Sequence, residues 1–239
     1  MRHLNPRQIE KLKNGIVAAY AIPFIDDIED YIWESIFCYV KNIPVVDPLT
    51  DTREKKLFDI VDKKTRTGWS AKALQTNVKR GGSFELVIQR ADIFKKYSEL
   101  GFNKLSIDSD PNVLGAALMV HWNEKKIKAD MAVQKVDNAN VCILLKSMDR
   151  KSFTFIEKSL DVISADDMEW KWTNSTKSGL QGYYKDKLKY RWYHGQKQFF
   201  EIFEVPENAS IVNVNPLRLS LGDAIETVLT KIKCKNNSR

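Results

Sequence analysis

The chain has few cysteines, and their placement excludes two kinds of covalent scaffold. Only three of the 239 residues are cysteines, and Cys38, Cys142 and Cys234 lie far apart. A disulfide-held secreted domain carries cysteines in even number, and a zinc site gathers its ligands in tight pairs. We therefore predict neither a disulfide framework nor a structural zinc site, and a core that depends on hydrophobic burial alone.

Long apolar runs and several well-known catalytic patterns are also missing. No segment approaches the roughly eighteen apolar residues of a membrane-spanning helix, and the polar, basic residues 1–15 do not resemble a secretory signal. We expect a cytoplasmic chain with no membrane partner. The sequence also has no Ser/His/Asp, Cys/His, phosphate-loop or dinucleotide-binding pattern. This counts against ester hydrolases, nucleotide-driven motors and dehydrogenases, so no nucleotide cofactor is expected.

Positive charge is what the sequence has in excess. There are 38 Lys and Arg residues against 31 Asp and Glu residues, which gives a formal net charge of +7. Such an excess favours polyanionic partners, provided that the charge is concentrated on one surface. The hydrophobic content of 43% is enough for a substantial core in a chain of this length.

The hydrophobic periodicity changes from helical to β-like near the middle of the chain. Short aromatic and β-branched runs after residue 140 are typical of strands, whereas most of the earlier part follows a helical repeat. We predict helices over residues 5–20, 24–41, 113–134 and 220–232, a β-hairpin between residues 57 and 74, and a strand at 84–89 that runs into a helix.

These elements predict an α/β (α+β) fold with a central mixed sheet flanked by helices and a β-rich C-terminal half. The natural division is a helix-rich lobe over residues 1–135 and a β-rich lobe over residues 136–239. One continuous domain is the alternative.

The predicted hairpin brings an acid and a lysine together. If Asp62 pairs with Trp69 across a six-residue loop, Asp59 lies opposite Lys72. Because side chains alternate along a strand, Asp59, Ser70 and Lys72 then project from one face. A slip of one residue would separate Asp59 from Lys72 and make Asp62 the better partner. The alternative interpretation is a surface ribbon with an ordinary cross-strand ion pair.

A second acid stands out on the predicted helix over residues 24–41. A helical wheel places Glu29 inside the apolar stripe, between Ile25 and Ile32. A carboxylate that faces a core needs a cation, a metal or a set of hydrogen-bond donors. A structural salt bridge to a nearby Lys or Arg would satisfy it equally well.

The order of these residues resembles that of the PD-(D/E)xK nucleases, the superfamily of most type II restriction enzymes. The resemblance covers roughly residues 20–90 and reads Glu29, then Asp59, then Ser70-Ala71-Lys72. It implies a restriction-endonuclease-like sheet, with two carboxylates and the lysine gathered around one or two Mg2+ ions. The sequence departs from the family pattern at Phe58, where a proline is usual.

The second departure is Ser70, which stands where the family has an acid. A hydroxyl is a poor substitute for a carboxylate in holding a hard cation, so another acid has to serve. The candidates are Glu29, Glu85 on the predicted third strand, and Asp62 beside the hairpin loop.

The resemblance implies an endonuclease that hydrolyses DNA phosphodiesters with Mg2+, as a type II restriction enzyme or a repair nuclease. Asp59 and Glu29 would bind the metal, and Lys72 would orient or activate the attacking water. Such enzymes commonly act as homodimers on palindromic sites. The alternative function is a nucleic-acid-binding protein without catalysis.

Basic and aromatic residues are interleaved between residues 170 and 200, a composition that suits contact with a nucleic-acid backbone and its bases. In the predicted strand at 187–193, alternation places the basic side chains on one face and Tyr190 and Trp192 on the other. A solvated basic face over an aromatic core is the alternative. The predicted DNA contacts are Lys63, Lys64, Arg66, Lys79, Arg80, Lys185, Lys187, Lys189 and Arg191.

Overall fold

A computed structural model of the chain describes residues 3–45 and 56–236. The helices are α1 (Pro6–Ala21), α2 (Asp30–Lys41), α3 (Ile93–Lys96), α4 (Pro111–Trp122), α5 (Ala129–Gln134) and α6 (Leu221–Asn236). The strands are β1 (Ile60–Asp62), β2 (Thr67–Gln75), β3 (Ser83–Arg90), β4 (Asn138–Lys146), β5 (Ser152–Ser159), β6 (Met168–Trp172), β7 (Leu180–Tyr184), β8 (Lys187–Tyr193), β9 (Gln198–Glu204) and β10 (Ser210–Asn213). The predicted α+β class is confirmed, with the strands in two multi-stranded sheets rather than one.

The chain divides into two compact units that are not consecutive in sequence. The first unit comprises residues 1–77, 140–158 and 209–239, and the second comprises residues 78–139 and 159–208. The chain therefore crosses between the units four times, and the predicted single boundary near residue 135 does not describe this division. The physical reason is that β4, β5 and β10 join the sheet of β1 and β2, a pairing that local periodicity does not reveal.

The first unit packs α1 and α2 on a sheet of order β1-β2-β4-β5-β10. Helix α1 begins where predicted because Asn5 and Gln8 form a capping box and Pro6 occupies the first turn. The core of this unit is aromatic: ring contacts join Trp33, Phe37, Trp69 and Phe155, and Phe153 contacts Tyr20. The Trp33 indole N–H donates to the Cys142 carbonyl at 3.1 Å, which ties α2 to β4.

Helix α2 is shorter than predicted, because it begins at Asp30 and not at residue 24. The carboxylate of Asp27 accepts from the backbone N–H of Ile28 at 2.9 Å. Aspartate side chains that bond to the adjacent backbone compete with helix formation. Because the residues before Asp30 are not helical, a helical wheel drawn from residue 24 does not give the positions of Glu29 and Asp30.

The second unit has an antiparallel sheet of order β3-β9-β8-β7-β6. Helix α4, a π-helical segment over Asn123–Lys128 and α5 continue into one another to residue 134, as the predicted long helix requires. Helix α4 contacts β6 at Gly115, which lies directly against the Trp170 ring. Trp170 in turn belongs to a stack with Tyr190 and Phe199 that forms the centre of this unit.

Candidate functional site

The hairpin that carries the predicted site is present, but its predicted register is wrong by two residues. Asp62 pairs with Thr67, and Ile60 pairs with Trp69, so the turn has four residues and not six. The Asp62 carboxylate closes this turn, accepting from Lys64 N at 3.0 Å and from the Thr65 hydroxyl at 2.7 Å. The hydrogen bond from Thr65 holds the pKa of Asp62 below its usual value. Asp62, a predicted candidate metal ligand, is therefore engaged in the hydrogen bonds of the turn.

A shift of two residues leaves every side chain on its predicted face, because alternation along a strand has a period of two. Asp59, Ser70 and Lys72 accordingly share one side of the hairpin. The Lys72 ammonium lies 4.0 Å from Asp59 Oδ2. The convergence of this acid and this lysine is the central geometric expectation from the sequence, and the distance agrees with it.

The second carboxylate beside Lys72 belongs to Asp30, at the first turn of α2. Asp30 Oδ2 lies 3.9 Å from Lys72 Nζ, so the ammonium sits between two carboxylates. All three side chains are partly open to water, with 28% of Lys72, 27% of Asp59 and 50% of Asp30 exposed. We call Asp30, Asp59 and Lys72 the acid–lysine cluster.

Both carboxylates are held by backbone amides of β2. The Ala71 N–H donates to Asp59 Oδ2 at 2.8 Å, and the Ala73 N–H donates to Asp30 Oδ1 at 2.7 Å. The short strand β1 pairs only with residues 67–69 of β2, so beyond that point the amides on this edge of β2 need other acceptors. The two aspartates supply them, which fixes each carboxylate relative to the strand that carries Lys72.

Glu29 does not occupy the core-facing position that the helical wheel predicted. It is the N-cap residue of α2, its side chain is exposed, and it makes no capping hydrogen bond. The wheel assumed a continuous helix from residue 24, whereas the helix begins only after Glu29. Asp30 is the acid that contacts β2, and no local signal in the sequence distinguished it from Asp27.

A cavity of about 570 Å³ adjoins the acid–lysine cluster. Its lining residues are Asp27, Glu29, Asp30, Tyr31, Glu34, Ala73, Gln75 and Lys146. Asp30 and Ala73 belong both to the cavity wall and to the contacts described above. Four of the eight side chains carry a carboxylate and one, Lys146, carries an ammonium, so the cavity is strongly polar.

The buried ammonium of Lys146 secures the cavity wall. It donates to Asp27 Oδ2 at 2.6 Å and to the Ile28 carbonyl at 2.8 Å, while only 4% of its side chain is exposed. Burial opposes ionisation of Asp27, but the hydrogen bond and charge of Lys146 outweigh it and lower the pKa of Asp27. The segment that leads into Asp30 is therefore anchored from the carboxyl end of β4.

A buried ion pair that sequence reasoning did not identify lies among the core residues of the first unit. Glu157 on β5 is fully buried, and its Oε2 lies 2.6 Å from the Lys41 ammonium. Its Oε1 accepts from the Trp69 indole N–H at 2.9 Å. The only sequence signal was an acid inside an apolar strand. The pair fixes Trp69, three residues before Lys72 on the same strand.

Neither Ser70 nor Glu85, the other predicted site residues, adds a carboxylate to the acid–lysine cluster. Ser70 is buried, and Glu85 lies in the second unit, where it pairs with Arg191. Within residues 3–45 and 56–236, no group of three or more His, Cys, Asp or Glu side chains is arranged to hold a metal ion. A cation at this site would depend on Asp30 and Asp59 together with oxygen atoms from water and substrate.

The predicted DNA contacts fall into two groups. Lys63, Lys64 and Arg66 are exposed at the hairpin turn of the first unit. The second group lies in the other unit, where Lys79, Arg80, Lys185 and Lys187 are exposed and Lys189 and Arg191 are partly buried.

The predicted alternation of β8 is present, since Tyr190 and Trp192 are buried. On the opposite face, Lys189 lies 2.8 Å from Glu201 and 3.1 Å from Asp161. Burial disfavours the ammonium, yet these two carboxylates outweigh it and raise the pKa of Lys189. Much of the positive charge on this strand is therefore neutralised within the unit.

Comparisons with protein-family models, curated proteins and solved structures gave no match to this chain. Across the described part of the chain, every helix is too short or too polar to cross a membrane.

Proposed function

We propose that this chain is a Mg2+-dependent endonuclease that hydrolyses DNA phosphodiesters, with a site of the PD-(D/E)xK kind. The observation that supports the proposal is the position of the Lys72 ammonium, 4.0 Å from Asp59 and 3.9 Å from Asp30. Asp30 takes the place that the sequence interpretation gave to Glu29. One amine and two carboxylates on rigid elements are the minimum equipment for this chemistry.

The donor set suits Mg2+ in its chemistry. Magnesium prefers hard oxygen ligands, keeps several waters, and is commonly held by one or two carboxylates together with substrate phosphates. Asp30 and Asp59 supply such carboxylates, and the partial exposure of both leaves room for water and substrate. When bound, the ion would neutralise charge on the scissile phosphate.

Lys72 performs the part of the reaction that this chain can supply directly. Its ammonium has three donors and no acceptor, so it can hold a phosphate oxygen or position a water molecule for attack. The neighbouring carboxylates of Asp30 and Asp59 attract this ammonium and hold it between them. Since Ala71 and Ala73 hold those carboxylates in place, little reorganisation is needed when the substrate arrives.

The hairpin also supplies a contact surface for the DNA backbone. Lys63, Lys64 and Arg66 are exposed at the turn of the same hairpin that carries Lys72. Cations at this place attract phosphates, and their contribution to binding falls as salt concentration rises. A restriction enzyme would cleave at a defined sequence, whereas a repair nuclease would prefer branched or damaged DNA.

The test is cleavage of supercoiled plasmid by the purified chain with Mg2+ and with EDTA. We expect Mg2+-dependent cleavage that falls at least about 100-fold in Asp59→Asn, Asp30→Asn and Lys72→Met, a size typical of lost transition-state stabilisation. Binding, measured by gel shift in Ca2+, should persist. Asp108→Asn, at an exposed position of the second unit, is the control.

Glu29→Gln separates the two assignments of the second acid. Full activity in Glu29→Gln with loss in Asp30→Asn supports the cluster described above, and the reverse result contradicts it. Binding without cleavage under all metal conditions would instead support the alternative, a nucleic-acid-binding protein without catalysis. Neither binding nor cleavage would refute both functions.

A further inference from the structure

Helix α6 carries a row of large apolar side chains that stay exposed among the residues the structure describes. The five side chains are between 48% and 58% exposed, and they are Leu221, Ile225, Val228, Leu229 and Ile232. None of the described side chains of this 16-residue helix is buried. Scattered exposed apolar residues are ordinary, but a continuous row along one helix marks an interaction surface.

The spacing of this row determines its shape. Leu221, Ile225, Val228 and Ile232 follow one another at intervals of four, three and four residues. These intervals place them on one face of a helix and match the seam of a two-stranded coiled coil. Thr230 lies on the opposite face of α6. We call the five apolar residues the α6 stripe.

We infer that the α6 stripe is a dimerisation surface, which pairs antiparallel with α6 of a second copy of this chain. Intervals of four, three and four are the same in either direction, so the stripe is complementary to itself when reversed. Leu221 then faces Ile232 of the second copy, and Ile225 faces Val228 of the second copy. A two-fold axis relates the two helices, as in most homodimers.

The charge along α6 favours the antiparallel arrangement. Glu226 lies in its first half and Lys231 in its second half, whereas Asp223 lies on the same face as Thr230, away from the stripe. Antiparallel pairing brings the acidic half of one helix beside the basic half of the other, whereas parallel pairing places acid beside acid. Antiparallel helix dipoles also attract each other.

Two further exposed apolar residues lie in the segments that meet just before α6. Phe24 is 76% exposed and Leu217 is 73% exposed. The segment before α6 is bound to the first unit, because Leu219 N donates to the Ala21 carbonyl at 3.0 Å. A stable dimer commonly buries about 800 Å² of each partner, more than a helix about 24 Å long offers alone. Phe24 and Leu217 supply additional apolar area on a fixed part of the unit.

The first test is the oligomeric state of the full chain by sedimentation equilibrium over a range of concentrations. We expect a reversible dimer, whose dissociation constant rises at least about 100-fold in the double variant Ile225→Lys/Val228→Lys, since both changes remove apolar burial and add repulsion. The control Thr230→Lys adds one lysine on the opposite face of α6 and should leave the dimer intact. A monomeric native chain, or a double variant that still dimerises, would overturn the inference.

The second test determines the orientation. In a Cys234→Ser background, equal amounts of the Leu221→Cys and Ile232→Cys proteins are mixed and oxidised. Antiparallel pairing predicts disulfide-linked heterodimers, whereas homodimers cross-linked 221 to 221 would refute it. Thermal unfolding of each variant shows that the fold persists, which we expect because the changed side chains are exposed. The result is independent of whether the chain cleaves DNA.

Discussion

Substitution of Lys41 by methionine tests the energetic role of the buried ion pair beneath the hairpin. Lys41 Nζ lies 2.6 Å from Glu157 Oε2, and the side chains are 15% and 0% exposed. At an effective dielectric constant of about 20, the attraction at this distance is about 6 kcal/mol, part of which is offset by desolvation. Removing the cation leaves a buried carboxylate without its counter-charge, which typically costs about 3–5 kcal/mol. Because Lys41 retains some contact with water, we expect a loss of about 3 kcal/mol.

The assay is the free energy of unfolding from urea titration, followed by tryptophan fluorescence. The matched control is Lys128→Met, since Lys128 also lies 2.6 Å from its partner Glu124 but is 57% exposed. An exposed pair of this kind contributes less than about 0.5 kcal/mol. Equal losses in the two variants would show that burial does not determine the strength of these pairs.

A double-mutant cycle isolates the interaction between the two charges. In Glu157→Gln the amide oxygen can still accept from the Trp69 indole, and the buried charge is gone. We expect this variant to lose about 1–2 kcal/mol, roughly one lost charge-assisted hydrogen bond. Combined with Lys41→Met, the loss should be smaller than the sum of the single losses by about 2 kcal/mol. Additive losses would refute the reasoning.

Three further predictions concern other parts of the chain. Burial lowers the pKa of His121 to about 4. The neutral imidazole therefore contributes its full share to the free energy of unfolding above about pH 6.5, and this share, up to about 3 kcal/mol, is lost as the pH drops towards 4. Urea unfolding at several pH values measures this, and a free energy of unfolding that does not change with pH would contradict it. An alanine at Gly115 would place its Cβ 2.2 Å from the Trp170 ring, so Gly115→Ala should cost more than about 2 kcal/mol, whereas Gly195→Ala, with nothing within 4 Å, should cost far less in the same assay. Asp62→Ala removes the two hydrogen bonds that close the hairpin turn and should lower the free energy of unfolding by about 1 kcal/mol, and an unchanged value would argue against that role.

Features that depend on neighbouring residues were predicted well. Helix α1 begins at its capping box, and the alternation of β8 buries Tyr190 and Trp192 as expected. The shared face of Asp59 and Lys72 also follows from alternation, and it persisted although the register was displaced by two residues. A register displaced by one residue would have placed Asp59 and Lys72 on opposite faces of the hairpin. The prediction therefore holds only because the displacement is an even number of residues.

The start of α2 shows where local reasoning was insufficient. A helical repeat is visible from Ile25 onward, yet the helix begins at Asp30 because Asp27 binds the adjacent backbone and is itself held by Lys146. Lys146 lies more than a hundred residues away in the sequence. That distant contact decides which acid reaches Lys72.

The amino-acid sequence by itself determined the kinds of elements, the charged character of the chain and the face that Asp59 shares with Lys72. The repeats of two residues in strands and 3.6 residues in helices involve residues that are close in sequence, so they can be recognised without knowing the tertiary structure. Only the tertiary structure decided that Asp30 joins the cluster, that Glu157 pairs with Lys41, and that the strands divide between two sheets. Each of these depends on partners far apart in sequence, whose meeting is set by packing of the whole unit and not by any local pattern.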